Sequence, residues 1–415
     1  MEIQSLIFRA HTSSRYSVAA LLGSIETDSR LSALRVHAPT DLPDRLIASE
    51  LEKKGRVVLA HSVMSTQTER VHQEIRTVRT KFGDNVILVA GGAHASAKPA
   101  DLLDMGFDYV VIGEGEASFR NLLWNLINDL NPTDIPGVVS DETAEFPHPK
   151  SLPRIELDDY PPFALEMNIV GPVEVTRGCP YRCKFCATPF LSGGVVRHRS
   201  VDSITHWLRR AVNERGFART WFLSPNALCY GGKGRKAFPE KLEELLRKTS
   251  SIENLDLFFG SFPSEVRPEF VTATLLDMFR QHVANRTLQI GLQSGSDRVL
   301  EMSNRHHSVQ EGLEAIETSL DCGFIPHVDM IFGLPGETEK DVDASLQICE
   351  DLAQINAKIH GHVFMPLPGS EWESMPAGIL NERTRQILGE FARKKIVTGS
   401  WSHQEELGKR MNIGD

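Results

Sequence analysis

Short apolar runs alternate with amphipathic stretches along this chain, in two series parted by a burst of prolines. Runs at Ser5–Arg9, Leu34–Ala38, Arg56–His61, Asn85–Ala90 and Tyr109–Ile112 have the length of strands. Helix-like segments lie between them. In Thr66–Phe82, apolar Val71, Ile75, Val78 and Phe82 recur at the spacing of one helical face. Strands separated by helices imply a parallel sheet covered on both faces, so residues 1–130 predict a doubly wound α/β domain. Ligands of such domains sit outside the carboxyl ends of the strands. Between Asn131 and Pro162 come seven prolines, at 132, 136, 147, 149, 153, 161 and 162. They exclude a helix or a central strand there, and residues 131–165 read as a Pro-rich linker. The alternation then resumes. Strand candidates are Val173–Thr176, Thr220–Ser224, Leu255–Ser261, Thr287–Gln293, Ile325–Phe332 and His360–Pro366, separated by helical stretches such as Val309–Asp321 and Glu339–Leu352. This pattern predicts a partial (β/α)6 barrel over residues 166–370, with reactive groups at the C-terminal ends of its strands. Residues 371–415 predict a helical extension, one amphipathic helix near Asn381–Ile396 followed by a polar tail.

Composition narrows the function classes. With 415 residues, 41% hydrophobic and 24% charged, the chain has material for about two ordinary globular domains. The N-terminal MEIQSLIFRAHTSSRY has no basic region followed by a long apolar run. No stretch approaches the roughly 20 apolar residues of a membrane span. The expectation is a cytoplasmic protein without a membrane partner. A formal charge of −10 argues against a general nucleic-acid binder, which needs a basic field to displace counterions. The Arg197–His198–Arg199 run is too short to reverse that.

Six cysteines are too sparse for a disulfide scaffold. Three of them, Cys179, Cys183 and Cys186, fall within TRGCPYRCKFCAT, while Cys229, Cys322 and Cys349 are scattered. The spacing supplies three thiolates and no local fourth. A structural zinc site normally uses four ligands, which here would have to include His198 or His206. Three thiolates on a 4Fe–4S cluster instead leave one iron open. The segment resembles the signature of the radical S-adenosylmethionine (SAM) superfamily, C-x3-C-x-φ-C, with aromatic Phe185 before the last cysteine. The resemblance implies that the open iron chelates SAM and releases a 5′-deoxyadenosyl radical. Three later segments agree with it in order and spacing. Gln289–Asp297, followed by Leu300 and Arg305, is similar to the family's strand-four motif, which implies that Gln293 and Ser294 lie near the SAM ribose. Val328–Glu337 matches the strand-five segment, where Gly333 would let backbone approach the adenine. Phe364-Met-Pro-Leu-Pro-Gly369 looks like the sixth-strand ending and implies a contact from Met365. The usual GGE after the second strand is replaced by Leu223-Ser-Pro-Asn226, which leaves Ser224 to meet the amino-acid end of SAM.

The first domain carries a second resemblance. Ser62-Val-Met64, Gly91-Gly-Ala-His94 and Gly113-Glu-Gly-Glu116 follow successive strands. They resemble the SxM, GGxH and GEGE segments of class B radical SAM enzymes, whose Rossmann-like domain binds cobalamin. The implied contacts are Ser62, Val63, Met64, Gly91, Gly92, His94, Gly113, Glu114, Gly115 and Glu116. Glu114 and Glu116 also suit a helix N-terminus. The DxHxxG loop of many cobalamin domains is missing. His11 lies in the corresponding loop in other surroundings, so no protein histidine is expected beneath cobalt. The family likeness implies a cobalamin-dependent methyltransferase acting on an unactivated carbon, fed by an electron donor of ferredoxin or flavodoxin type. No proton-transfer residue is nominated. The compact layout resembles archaeal members that modify a peptide or protein, including one that C-methylates a glutamine of methyl-coenzyme M reductase. Competing classes are a cobalamin-dependent cyclase or rearranging enzyme acting on a small molecule, and a methylthiotransferase. The methylthiotransferase family carries three cysteines in its N-terminal domain, where this chain has none.

Overall fold

The computed structural model describes residues 3–53 and 55–411. Two compact units emerge, one of Met1–Pro172 with Phe190–Ser192, the other of Val173–Pro189 with Gly193–Asp415.

In the first unit, strands β1 (Ile3–Arg9), β2 (Arg35–His37), β3 (Arg56–Ser62), β4 (Val86–Gly91), β5 (Tyr109–Val111) and β6 (Val138–Val139) form one sheet. Their order is β2-β1-β3-β4-β5-β6, parallel except for the β5–β6 pair. Helices α1 (Arg15–Glu26), α2 (Asp44–Glu52), α3 (Thr68–Phe82), α4 (Ala93–Ala97), α5 (Pro99–Asp104) and α6 (Gly115–Ile127) supply the crossovers. On α3 the expected stripe is realised, with Val71, Ile75 and Val78 buried. Burial of each such side chain stabilises by about 1.5–3 kcal/mol. Strand order reverses between β1 and β3, and the crevice there is where a doubly wound sheet of this order holds its ligand. The proline-rich stretch read as a linker does more than connect. Val138 and Val139, which lie between prolines, make the edge strand β6, and Phe163, Ala164 and Leu165 are buried in the same unit.

The second unit has a parallel sheet β7 (Val173–Glu174), β10 (Arg219–Leu223) and β11 (Asp256–Phe258), in the order β11-β10-β7. A second parallel sheet runs β12 (Thr287–Gln293), β13 (Ile325–Phe332), β14 (Lys358–Val363) and β15 (Val397–Thr398). A single parallel bridge, Val266 to Ile290, links the residues after β11 to β12. The result is the expected open barrel of six strands in sequence order, with a short antiparallel pair, β8 (Thr176–Arg177) and β9 (Arg197–His198), beside its first strand. Helices α8 (Val201–Arg215), α9 (Pro239–Ser250), α10 (Ala273–Arg280), α11 (Asp297–Met302), α12 (Val309–Asp321) and α13 (Glu339–Leu352) connect the strands; α7 (Thr188–Leu191) is a single turn. On β12, β13 and β14 the two faces differ. Leu288, Ile290, Leu292, Val328, Met330, Phe332, Ile359 and Val363 are buried on one face. Leu292 meets Gly312 of α12, so that face looks toward the helices. Gln289, Gln293, Asp329, His360 and His362 point the other way, into the barrel.

The C-terminal segment departs from expectation. It is not one helix and a polar tail: β15 joins the sheet, and α14 (Glu382–Arg393) is followed by α15 (Trp401–Met411). Residues 412–415 of that tail lie outside the described residues. Polar composition hid α15 because its inner face is an ion pair rather than an apolar stripe. Glu405, 2% exposed, meets both guanidinium nitrogens of Arg385, and Lys409 lies 3.3 Å away. Burial alone would raise the Glu405 carboxyl pKa; the hydrogen bonds from Arg385 and Lys409 outweigh it and hold the pKa below the ordinary range. Glu405→Gln should therefore cost roughly 1–2 kcal/mol, discounted because Arg385 is partly exposed. Chemical denaturation should show the loss, together with faster tryptic cleavage within α15. An unchanged denaturation midpoint would contradict this account.

Candidate functional site

The three-cysteine loop starts from β8. Cys179 N donates to Gly193 O at 3.1 Å and Cys186 N to Cys183 O at 3.0 Å, which bends the loop back on itself. Neighbouring elements fasten it. Lys184 N donates to Ser303 O at 3.0 Å, Trp372 N to Lys184 O at 3.0 Å, and Asn304 Nδ2 to the carbonyls of Tyr181 and Arg182, each at 2.9 Å. Two buried guanidinium groups face the middle thiol. Arg305 Nη1 stands 3.6 Å and Arg267 Nη1 3.9 Å from Cys183 Sγ, and Arg267 also stacks 3.5 Å over the Tyr181 ring. Burial alone would lower the pKa of Arg305, but Cys183 and Glu265 hold it above the ordinary value, so the group is a fixed positive charge. Burial raises the Cys179 thiol, and pushes Cys186 up to about 11.

These features fit an iron–sulfur cluster better than zinc. Donors around tetrahedral zinc bound at about 2.3 Å lie roughly 3.8 Å apart. Among the described residues, sets of ligand atoms lying within 4.8 Å of one another occur elsewhere and do not include the three thiols. His198, a conceivable fourth ligand, has both ring nitrogens engaged, with Thr176 Oγ1 at 3.0 Å and Gly232 O at 2.6 Å. His206 is exposed on α8.

The expected SAM contacts gather at the carboxyl ends of the barrel strands in uneven condition. Gln293 ends β12 with φ +80°, a left-handed conformation uncommon outside glycine, and its side chain points into the barrel. Ser294 is fully buried; its hydroxyl accepts from Ser296 N at 3.2 Å and lies 3.4 Å from Ser345 Oγ, so it shapes the turn. The Ser224 hydroxyl is taken up by its own turn, donating to Asn226 O at 2.9 Å. The free donor of that loop is Asn226 Nδ2, buried without a partner, the kind of group a SAM carboxylate would satisfy. Sequence reading passed over Asn226 and also Arg267, which sits in no recognised motif. Phe185 and Ile331 both pack against the buried cluster of Val299, Leu334, Phe364 and Trp372. Met365 is half-buried, its carbonyl accepting from Leu367 N at 2.9 Å. Gly333, expected to open space for adenine, lies instead against Gly378: a Cβ there would stand 2.8 Å from Gly378 Cα. Its amide donates to Glu337 Oε2 at 2.7 Å, while Glu337 Oε1 is buried and unpartnered.

In the first unit, the loops of Ser62–Met64, Gly91–His94 and Gly113–Glu116 end the adjacent strands β3, β4 and β5. Val63 is core, its amide donating to Gly91 O and its carbonyl accepting from His94 N. Ser62 Oγ is 3.3 Å from Ser17 Oγ, and Met64 is exposed. His94 is held by Ser65 Oγ at 3.0 Å and Asp101 at 3.3 Å. Glu114 makes no side-chain cap on α6. It accepts instead from Ile155 N at 2.9 Å, and Glu116 occupies the first helical turn, where a carboxylate suits the dipole. Gly113 and Gly115 abut Leu152 and Leu21. At the Gly91–Gly92 end of β4 the place of a Cβ on Gly92 is taken by Ser62 Oγ and the Val63 backbone at 2.9 Å, so that glycine serves the close packing of its own loop. His11 is turned into the interior beside His61 and 3.7 Å from Glu74, its pKa lowered mainly by burial. That placement favours a cobalt without a histidine from this loop.

Residues 173–349 match the model of the Radical SAM superfamily, and residues 8–123 match that of the B12 binding domain. Among curated relatives, tRNA-2-methylthio-N(6)-dimethylallyladenosine synthase of Pelobacter propionicus is 26% identical over 325 residues, 76% of this chain and 69% of that protein. A probable threonylcarbamoyladenosine tRNA methylthiotransferase of Archaeoglobus fulgidus is 30% identical over 260 residues, 60% of this chain and 57% of that one. Among solved structures, the cobalamin-dependent SAM radical enzyme OxsB, with aqua-cobalamin and SAM bound, superposes with a TM-score of 0.68 at 15% identity, over 96% of this chain and 58% of its own. The radical SAM methyltransferase TsrM from Kitasatospora setae gives 0.66 at 16% identity, over 89% and 75%. At these identities the two structures show the shared fold. The domain matches assign a 4Fe–4S cluster, SAM and cobalamin as cofactors.

Two outcomes follow for this site. Gly92 has φ +97°, and a Cβ would stand 2.9 Å from both Val63 N and O, whereas the nearest neighbour of a Cβ on Gly91 is 3.8 Å away. Gly92→Ala should destabilise the protein by about 2–4 kcal/mol, while Gly91→Ala leaves stability unchanged; urea denaturation of both separates backbone need from ligand need. Burial pushes the Glu337 carboxyl from 4.5 up to about 7, so folding favours its neutral form. That contribution is complete below pH 4.5 and is lost as the pH climbs through 7. Glu337→Gln should gain stability over the wild type progressively across that window, and a pH-independent difference in denaturation midpoint would refute the assignment.

Proposed function

We propose that this chain, which joins a B12-binding domain to a radical SAM domain, is a methyltransferase that places a methyl group from SAM on an unactivated carbon of a peptide or protein. When bound, the cluster cleaves SAM reductively to a 5′-deoxyadenosyl radical and cobalamin carries the methyl group. The observation that carries this reading is the pairing of a B12-binding domain with a single three-cysteine loop; no cysteine precedes Cys179. A methylthiotransferase of the kind found among the relatives would be expected to hold further cysteines in its first domain.

The chain's own residues divide the work. Cys179, Cys183 and Cys186 would hold the cluster as thiolates, and burial, which raises the Cys179 and Cys186 thiols, makes that deprotonation depend on the metal. Arg305 and Arg267 face the resulting negative charge at Cys183. Asn226 Nδ2, buried without a partner, would donate to the SAM carboxylate, and Gln293, held in its left-handed turn, would face the ribose. Phe185, within the loop, packs against the apolar cluster of Val299, Leu334, Phe364 and Trp372. Electrons come from a ferredoxin- or flavodoxin-type donor. The layout alone supports a peptide substrate, and the glutamine of methyl-coenzyme M reductase is the one to assay first.

The test is anaerobic incubation of reconstituted protein with reductant, methyl-labelled SAM and peptides carrying that glutamine, followed by mass spectrometry. The expected result is 5′-deoxyadenosine together with a carbon-bound label. Cys179, Cys183 and Cys186 changed together to Ala should abolish both products, whereas replacing Cys229, Cys322 and Cys349 should leave iron content unchanged. Label appearing with sulfur as a methylthio group would overturn the proposal.

A further inference from the structure

The cysteine loop has an outer face that the reading above does not use. Arg182 is exposed and its neighbour Cys183 is buried, so consecutive residues divide between solvent and the thiol side. A second loop lies upon this face. Gly231-Gly-Lys-Gly-Arg-Lys236, between β10 and α9, meets it at Gly234, where a Cβ would stand 2.8 Å from Pro180 Cγ and from Val196 Cγ2. The missing side chain is what lets the two segments lie together. Arg235 Nη2 donates to Pro180 O at 3.3 Å, and its guanidinium sits 5.7 Å from the centre of the Tyr181 ring. That ring carries Arg267 at 3.5 Å, and Arg267 stands 3.9 Å from Cys183 Sγ. Surface and middle thiol are thus joined by continuous packing.

This face is cationic. Arg182, Lys233, Arg235 and Lys236 are exposed, and no ion pair among the described residues engages any of the four. The patch ends at His306, whose Nε2 lies 3.3 Å from Tyr181 O and which shares the next cleft with Asp297, Glu301 and Glu311. Two apolar side chains stand among the cations: Val195, 76% exposed, and Phe238, 43% exposed. A Cβ on Gly178 would run into Val195 O, and one on Gly232 would lie 2.7 Å from Phe238 Cδ2, so both belong to the same pair of loops. Exposed apolar groups within a charged rim are the composition of a protein-docking surface. On a chain of formal charge −10, four unanswered positive charges make a local field opposite in sign to the whole.

We propose that Arg182, Lys233, Arg235 and Lys236, around Val195 and Phe238, form the docking surface for an acidic one-electron carrier protein that reduces the cluster. The inference rests on the cluster and the electron donor of the function proposed above. One electron leaves the carrier's reduced cofactor and enters the oxidised cluster; no atom or proton changes place. Charge complementarity selects this occupant. An acidic carrier is repelled by the chain as a whole and attracted here, which directs its encounter to the cysteine loop itself. A second cationic area, on α8 and α9, differs: Arg210 is held by Glu214 at 2.7 Å, and Lys248 by Asp202 at 3.1 Å and Glu244 at 3.2 Å.

The test uses cluster-loaded protein and two carriers, an acidic flavodoxin and an acidic 4Fe–4S ferredoxin. Calorimetry measures binding of each oxidised carrier. Electron paramagnetic resonance measures the cluster reduced by each reduced carrier and by dithionite. Wild-type protein should bind at least one carrier, more weakly as salt rises. Lys233→Glu combined with Lys236→Glu should weaken that binding and slow carrier-driven reduction, each roughly tenfold or more, while dithionite reduces the cluster as in wild type. Arg209→Glu combined with Arg247→Glu, on α8 and α9, changes the net charge equally and should leave carrier binding within about twofold. Three results would each overturn the proposal: no binding of either carrier to wild type, equal weakening in the two double variants, or wild-type affinity in the first. A wild-type cluster that dithionite fails to reduce would count against the cluster reading instead, and carrier binding would still decide the docking surface.

Discussion

A buried guanidinium organises the second unit. Arg305 reaches from the residues after α11 to Cys183 Sγ, and its other nitrogen donates to Gly291 O at 2.6 Å. A Cβ on residue 291 would run into Arg305 Nη2, so the glycine in the middle of β12 is what admits the charge. Removing one partner of such a buried charge typically costs about 3–5 kcal/mol, because the remaining group is left in low dielectric without compensation. Around this contact the cysteine loop, the third- and fourth-strand residues and the turn after α11 are tied into one body. A loop of three thiols that must present three metal bonds in fixed directions needs such external fastening, since nothing within its eight residues repeats or zips.

Much of this was legible in the sequence because it is local. Cys179, Cys183 and Cys186 stand out by spacing. Arg305 was singled out just after the strand-four segment Gln289–Asp297, although its partner could not be named. Helices Val309–Asp321 and Glu339–Leu352 fall where periodicity puts them, each preceded by a capping Ser or Thr. What escaped is non-local or polar. The grouping of Asp329 with His360 depends on the register of two strands thirty residues apart, which no spacing encodes. The pairing of Glu405 with Arg385 looks like ordinary solvated charge when read along the chain. β15 is two residues long, below the length at which alternation can be recognised.

The first unit teaches the same lesson differently. Its strand-end segments are visible as small-residue clusters, but their division of labour is not. Gly92 is required by the protein itself, with Val63 backbone directly behind it, while a Cβ on Gly91 would meet Val111 at an ordinary contact distance of 3.8 Å. His94 and Glu114 look like ligand contacts in sequence and are tethered to Ser65, Asp101 and Ile155. A motif records what a family keeps, and part of what it keeps is scaffolding.

The two-faced character of β12, β13 and β14 has a consequence for how the barrel finds its own pairing. Side chains alternate with a period of two, so sliding β14 by one residue against β13 would turn Lys358, His360 and His362 toward the helices and Ile359 and Val363 toward the lumen. Both halves of that exchange are unfavourable: imidazoles would be stranded in a dry layer, and apolar groups would line a polar one. The residues that make the interior of the barrel hospitable to polar ligands thus also act as its alignment marks, and chemistry and strand register are kept by the same atoms.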